Sequence, residues 1–195
     1  MIFHTYGNKE NKAIILIHGV LTPWQIWNTA AEKFRKDYYV IVPELDAHTE
    51  DTPTVFHSVE EEAQRIIEYI NSELNGHVFL LAGLSMGGRI AATVAKNNDM
   101  IPYYVKIAEN MMMVSVDNII NSVFSPFEFV RYPDDMKILY MHGTRSNEVV
   151  SRKCALKMKK VNPGTKIKCF EGLAHAELAC FKPDLWIREV EEFIS

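Results

Sequence analysis

The chain has 195 residues, of which 48% are hydrophobic and 24% are charged, and its formal net charge at pH 7 is −4. This composition suits one globular domain over residues 1–195, excludes a disordered or fibrous chain, and disfavours a surface that binds nucleic acids. No apolar run approaches the roughly 18–20 residues of a membrane span, and residues 1–10 lack the pattern of a secretory signal, so we expect no membrane partner. The three cysteines cannot all pair within the chain, and we expect reduced thiols in a cytoplasmic protein. We also expect a monomer or homodimer.

Short apolar runs alternate along the chain with segments of helical periodicity. The runs predict strands at residues 13–17, 38–42, 78–82, 103–107, 137–141 and 165–170. Helices are predicted between and after them, at residues 24–34, 59–74, 86–97, 149–160 and 184–194. The last strand is amphipathic, which is typical of a sheet edge, whereas the others are apolar on both faces. This pattern indicates a three-layer α/β fold, in which helices cover both faces of a mostly parallel sheet.

Ligands of such sheets bind beyond the carboxyl ends of the strands, and one motif stands out at such a position. The segment Gly83-Leu84-Ser85-Met86-Gly87 follows the third predicted strand and opens a helix. A nucleophile elbow has this strand–turn–helix setting, and its sharp turn exposes a serine hydroxyl above the sheet. Side chains in place of Gly83 and Gly87 would collide with neighbouring backbone. We therefore predict that Ser85 is a catalytic nucleophile rather than a serine in an ordinary glycine-rich turn.

A serine hydroxyl needs a base that takes its proton, and His175 is the best candidate among the seven histidines. It follows the last predicted strand, and its place after Ser85 fits the chain order serine, acid, histidine. His142 is the competing base, since it follows the fifth strand. His18 is expected to shape its loop, and His48 is expected to be a solvated or rim residue.

The base in turn needs a carboxylate that holds its tautomer and stabilises the imidazolium. The loop after the fifth strand, residues 143–148, contains one carboxylate, and we predict that this residue, Glu148, is the acid of the triad. A weakened triad with Asn147 or Ser146 is one alternative. Another is an aspartate from elsewhere in the chain, namely Asp117, Asp134 or Asp135.

An acyl-transfer site also requires two hydrogen-bond donors for the oxyanion. We expect one to be the backbone N–H of Met86, which follows the nucleophile. The other is expected to be the N–H of Val20, in the loop after the first predicted strand, where Gly19 lets the chain turn closely. A plain strand-to-helix turn would use the same residues, and this alternative remains open.

These segments together resemble the α/β-hydrolase superfamily, and in particular its small bacterial esterase-like proteins. The resemblance implies the α/β-hydrolase fold, a Ser85–His175–acid triad and acyl-enzyme chemistry, with a reduced cap over residues 108–135. The superfamily usually has an aspartate where this chain has Ser146, and often a glycine where it has Ala47. The matching segments extend over nearly the whole chain and comprise residues 17–19, 42–48, 83–88, 142–143 and the loop around His175.

The leading prediction is a carboxylesterase-type serine hydrolase that cleaves small or medium acyl esters. A thioesterase, amidase or perhydrolase would use the same triad, and a non-catalytic binding protein on this fold is the alternative from another class, favoured by Ser146. No cofactor is expected, because no nucleotide motif occurs and the three cysteines match no common zinc spacing. Two tryptophans, Trp24 and Trp27, either wall the site or pack beneath it. The substrate pocket is predicted to include His18, Gly19, Leu21, Trp24, Met111 and Met112.

Overall fold

The computed structural model describes residues 1–49, 54–97, 101, 103–107 and 128–195, with residues 103–107 described as backbone. The strands in these residues are Ile2–Tyr6 (β1), Ala13–Ile17 (β2), Tyr39–Glu44 (β3), Leu80–Leu84 (β4), Tyr103–Ile107 (β5), Lys137–Gly143 (β6) and Lys166–Phe170 (β7). They form one sheet in the order β1-β3-β2-β4-β5-β6-β7. β1 is antiparallel to β3, and the other neighbouring strands are parallel. The predicted mostly parallel sheet, with its last strand at an edge, is confirmed.

Helices cover both faces of this sheet. The α-helices among the described residues are Asn28–Phe34 (α1), Val59–Glu73 (α2), Met86–Lys96 (α3), Val149–Val161 (α4), Glu177–Phe181 (α5) and Pro183–Ile194 (α6). Side chains of α2, α3 and α4 pack in one core with one face of the sheet, and those of α1, α5 and α6 pack in a second core with the other. Successive strand residues alternate between the cores: Ile15 belongs to the first and Ile14 to the second. The three-layer α/β fold is therefore confirmed.

The local signals that begin and divide the helices are visible in the structure. The hydroxyl of Ser58 accepts the N–H of Glu61 at 3.1 Å, which caps the first turn of α2. The segment predicted as one helix at 24–34 is divided into a 3-10 helix over Trp24–Trp27 followed by α1.

None of the helices in the described ranges has the length and apolar character needed to cross a bilayer.

The structure corrects the sequence prediction at the β1 edge of the sheet. β1 was not predicted, and β3 continues through Pro43, where the sequence indicated a stop. Pro43 pairs with Phe3 of β1, while the register of β3 with β2 ends at Ile41. The missing N–H of Pro43 therefore removes no hydrogen bond from the β2 side, which is how a proline is tolerated here.

The parallel strands bring the candidate residues together at the edge of the sheet formed by the carboxyl ends of the strands. β2, β4, β6 and β7 run in the same direction, so the loops at their carboxyl ends lie on the same side. Those loops carry Val20, Ser85, Glu148 and His175. The reduced cap predicted over 108–135 falls mostly outside the described residues, as do Met111, Met112 and Asp117.

Candidate active site

Ser85 lies between β4 and α3 in a strained backbone conformation. Its φ of 54° and ψ of −120° are values that residues other than glycine rarely adopt. A Cβ on Gly83 would lie 2.2 Å from the carbonyl oxygen of Gly87, and a Cβ on Gly87 would lie 2.4 Å from that of His18. The collisions predicted at both glycines are thus confirmed. The turn between β4 and α3 has the geometry of a nucleophile elbow.

Replacing Gly87 by alanine is expected to destabilise the fold by about 1–3 kcal/mol, because the added methyl group must displace backbone at the end of β2. Urea unfolding of the variant and the wild-type protein measures this difference. Gly164→Ala is a matched control, since a Cβ at Gly164 would have no neighbour within 4 Å. Equal unfolding free energies for the two variants would contradict the packing described for Gly87.

The loop after β2 lies against the nucleophile. A Cβ on Gly19 would lie 3.1 Å from the Cβ of Ser85. The N–H of Gly19 donates to the Thr22 hydroxyl at 2.9 Å, and that hydroxyl donates to the Gly19 carbonyl at 2.9 Å. Within the described part of the chain, the N–H groups of Val20 and Met86 donate to no protein acceptor. Two uncommitted backbone donors in the turns that flank a serine are what an oxyanion hole requires.

His18 forms a bridge between the loops after β2 and β3. Its side chain is fully buried; Nδ1 donates to the Gly19 carbonyl at 2.9 Å, and Nε2 accepts the N–H of Leu45 at 3.1 Å. Burial lowers the pKa of His18 to about 4, so the ring is neutral at pH 7. These contacts agree with a loop-shaping role. The side chain is closed to solvent in this structure, and the predicted place of His18 in the substrate pocket stays a prediction.

His175 and Glu148 lie together at the ends of β7 and β6. Nδ1 of His175 is 3.1 Å from Oε1 of Glu148, and the carboxylate side chain is 2% exposed. Because a carboxylate accepts hydrogen bonds, this contact places the proton of a neutral ring on Nδ1 and leaves the lone pair on Nε2. A base held by a buried carboxylate in this way is the arrangement found in hydrolytic triads.

The loops that carry these two residues are bonded to each other. The Leu173 carbonyl accepts the N–H groups of Thr144 and Arg145 at 3.1 and 3.2 Å. Arg145 Nε donates to the Gly172 carbonyl at 2.7 Å. Glu177 accepts the N–H of Ala174 at 2.7 Å, within the His175 loop. These contacts, which were not predicted from the sequence, hold the loops of Glu148 and His175 together.

Nε2 of His175 is buried and, among the described residues, has no hydrogen-bond partner. Ser85 Oγ likewise makes no hydrogen bond within those ranges, so the serine–histidine hydrogen bond of a triad is not formed in this structure. Catalytic hydrogen bonds are often long in unliganded enzymes and shorten when substrate binds. The geometry therefore places the Glu148 carboxylate against the His175 ring and leaves the Nε2 lone pair available for a proton.

The alternative acids and base have other surroundings. Asp134 and Asp135 precede β6, so they lie at its amino end, at the opposite edge of the sheet from Ser85. His142 is buried, and its Nδ1 donates to the Gly143 carbonyl at 2.7 Å. Ser146 and Asn147 are exposed in the short 3-10 helix that precedes α4. Of these residues, none makes a described contact with His175.

The remaining predicted pocket residues are placed as follows. Leu21 is 66% exposed, with a positive φ of 54°. Trp24 stacks on His4 with ring centroids 3.7 Å apart, whereas Trp27 packs against Trp186 in the core beneath the sheet.

Among the described residues, no group of three histidine, cysteine or acidic side chains is arranged to hold a metal ion.

His48, expected to be a solvated or rim residue, makes a contact that was not predicted. Nε2 of His48, in the loop after β3, accepts the N–H of Leu21 at 3.1 Å, and its Nδ1 lies 3.0 Å from the Asp46 carbonyl. His48 therefore contacts the same loop as Val20. Its position just after the strand that neighbours β2 is the signal from which this proximity was predictable.

No protein-family model matches the chain. A curated protein of Gibberella zeae, described as an AB hydrolase superfamily protein, is 27% identical over 101 residues. The match covers 50% of this chain and 35% of that protein, so the chain matches about a third of its relative's length.

Solved structures match over nearly the whole chain. A protein from Desulfitobacterium hafniense, assigned to the α/β-hydrolase family, has a TM-score of 0.84 and 16% identity, with 100% of both chains covered. An esterase from a marine microorganism has a TM-score of 0.79 and 17% identity, with 98% of each chain covered. At these identities the similarity is one of fold.

Proposed function

From the α/β-hydrolase fold of this chain, we propose that it is a serine hydrolase that cleaves small or medium acyl esters. The observation that supports this proposal most is the contact of His175 with buried Glu148 at the sheet edge that carries Ser85 in its strained turn. The marine esterase of the same fold favours an ester as the bond cleaved.

In the proposed mechanism, Ser85 Oγ attacks the ester carbonyl carbon while Nε2 of His175 takes the hydroxyl proton. The N–H groups of Val20 and Met86 donate to the oxyanion, and Glu148 stabilises the imidazolium. The tetrahedral intermediate collapses with cleavage of the C–O bond, and His175 gives its proton to the leaving alcohol. A water molecule, deprotonated by the same imidazole, then attacks the acyl carbon of the acyl-enzyme. The bond from that carbon to Ser85 Oγ breaks, His175 returns the proton to Oγ, and the acid is released.

Hydrolysis of a series of p-nitrophenyl esters, from acetate to octanoate, tests the proposal. The wild-type protein is expected to turn over the short esters and to lose this activity after treatment with a fluorophosphonate. Parallel assays with a thioester and an anilide of the same acyl group decide which bond is preferred. If no substrate is cleaved and no label is incorporated while a control esterase reacts, the proposed function is wrong and a binding role on this fold is favoured.

A further inference from the structure

The loop that carries Val20 is held by contacts on both sides of that residue. On the amino side, the Gly19 carbonyl accepts from the His18 ring and from the Thr22 hydroxyl, each at 2.9 Å. Because a peptide unit is planar, fixing this carbonyl also fixes the direction of the Val20 N–H, which belongs to the same plane. On the carboxyl side, the next peptide N–H, that of Leu21, donates to Nε2 of His48 at 3.1 Å.

The second of these contacts depends on the tautomer of His48. The Asp46 carbonyl, 3.0 Å from Nδ1, is an acceptor and therefore requires the proton on Nδ1. Nε2 then carries the lone pair that Leu21 needs. Burial lowers the pKa of His48, while Glu44 opposes the shift, so the ring is neutral at pH 7. The rings of His48 and His18 meet edge to face at 5.1 Å.

The backbone at this point needs such support. Leu21 has a φ of 54° and Ala47, next to His48, has a φ of 62°, and both values lie in the left-handed region that side chains other than glycine disfavour. Such conformations persist where surrounding contacts over-determine them. The Leu21–His48 hydrogen bond joins the two strained turns directly.

We propose that His48 is a positioning residue of the oxyanion hole, which keeps the Leu21 peptide in place and thereby aims the Val20 N–H at the oxyanion. This inference rests on the proposed function. His48 touches neither Ser85 nor His175 in the described contacts, so it acts through the loop and does not take part in proton transfer.

Substitutions at His48 separate this role from a general effect on folding. We expect His48→Ala to lower kcat for p-nitrophenyl esters about 10- to 100-fold with KM nearly unchanged, because a displaced oxyanion donor costs less than the roughly 10²–10³-fold of a deleted one. His48→Gln carries an amide oxygen at about the reach of Nε2 and is expected to restore most of kcat. The amide oxygen of His48→Asn reaches only as far as Nδ1 of the histidine, so this variant is not expected to restore kcat. His57→Ala, an exposed histidine of the neighbouring segment, is the control.

Two kinetic results would contradict the positioning role of His48. If His48→Ala is as active as His57→Ala, or if His48→Asn restores kcat as well as His48→Gln, the positioning role is wrong. The comparison of the Gln and Asn variants retains its meaning if the alanine variant does not fold. Hydrogen exchange of the Leu21 amide gives a readout independent of catalysis: we expect protection in the wild-type protein and its loss in His48→Asn. Wild-type protein that is inert to esters and fluorophosphonate but protects this amide would overturn the proposed function and not the loop contact.

Discussion

Ser85→Ala is expected to reduce ester hydrolysis on the order of 10⁴–10⁶-fold, since the residues of a hydrolytic triad act as a unit and loss of the nucleophile removes nearly all of their effect. The variant is expected to fold, because alanine removes one hydroxyl that makes no described hydrogen bond. Steady-state assays with p-nitrophenyl butyrate, together with a thermal unfolding curve, measure both quantities.

Ser72→Ala is the matched control for this prediction, because Ser72 is an exposed serine at the end of α2, which leads into the amino end of β4, whereas Ser85 follows the carboxyl end of that strand. It should hydrolyse esters at the wild-type rate. If Ser85→Ala keeps more than about a tenth of the activity, the substitution costs less than about 1.4 kcal/mol of transition-state stabilisation. Ser85 would then not be the nucleophile.

Glu148→Gln is expected to lower kcat by about 10³–10⁴-fold. The glutamine amide preserves the size of the side chain, but it removes the charge that stabilises the imidazolium and no longer dictates the tautomer of His175. The 3.1 Å contact with Nδ1 makes this carboxylate the described group best placed for both effects. Steady-state kinetics measures kcat of both proteins. At a pH well above the range in which a free imidazole titrates, the ring is neutral in both, so a loss of kcat that persists there is not caused by protonation of the base.

Glu171→Gln provides the comparison, because Glu171 is an exposed carboxylate at the start of the same loop that carries His175. Its activity should match that of the wild-type protein. A change of less than about fivefold for Glu148→Gln, under ~1 kcal/mol, would assign the acid to another residue. Asn147→Ala is the next variant in that case.

The interior strands were predictable because they are apolar on both faces, which makes each run visible without knowledge of its partners. β1 was not, because its half-exposed sequence includes His4 and Thr5 and its pairing depends on β3, about 40 residues away. The continuation of β3 through Pro43 depends on that same pairing. Local sequence signals thus identified the interior strands, whereas pairing between distant residues forms β1 and decides where β3 ends.

For the candidate site, motif order supplied the residues but not their contacts. The glycines around Ser85 require a particular turn, so local sterics alone predicted the elbow. The approach of Glu148 to His175 joins residues 27 positions apart, and the Leu21–His48 hydrogen bond spans the same separation. The position of each residue just after a strand predicts that its loop lies near those of adjacent strands. Which atoms meet depends on how these loops fold over the sheet, and neither periodicity nor spacing encodes that.

The most direct test of this account is a crystal structure of the protein after reaction with a fluorophosphonate. We expect phosphonylation of Ser85 Oγ, with the phosphonyl oxygen accepting from the N–H groups of Val20 and Met86. We also expect Nε2 of His175 to lie within ~2.6–3.2 Å of Ser85 Oγ or of an oxygen bonded to the phosphorus of the adduct. An adduct on another residue, or an imidazole of His175 that stays beyond hydrogen-bond reach, would contradict it.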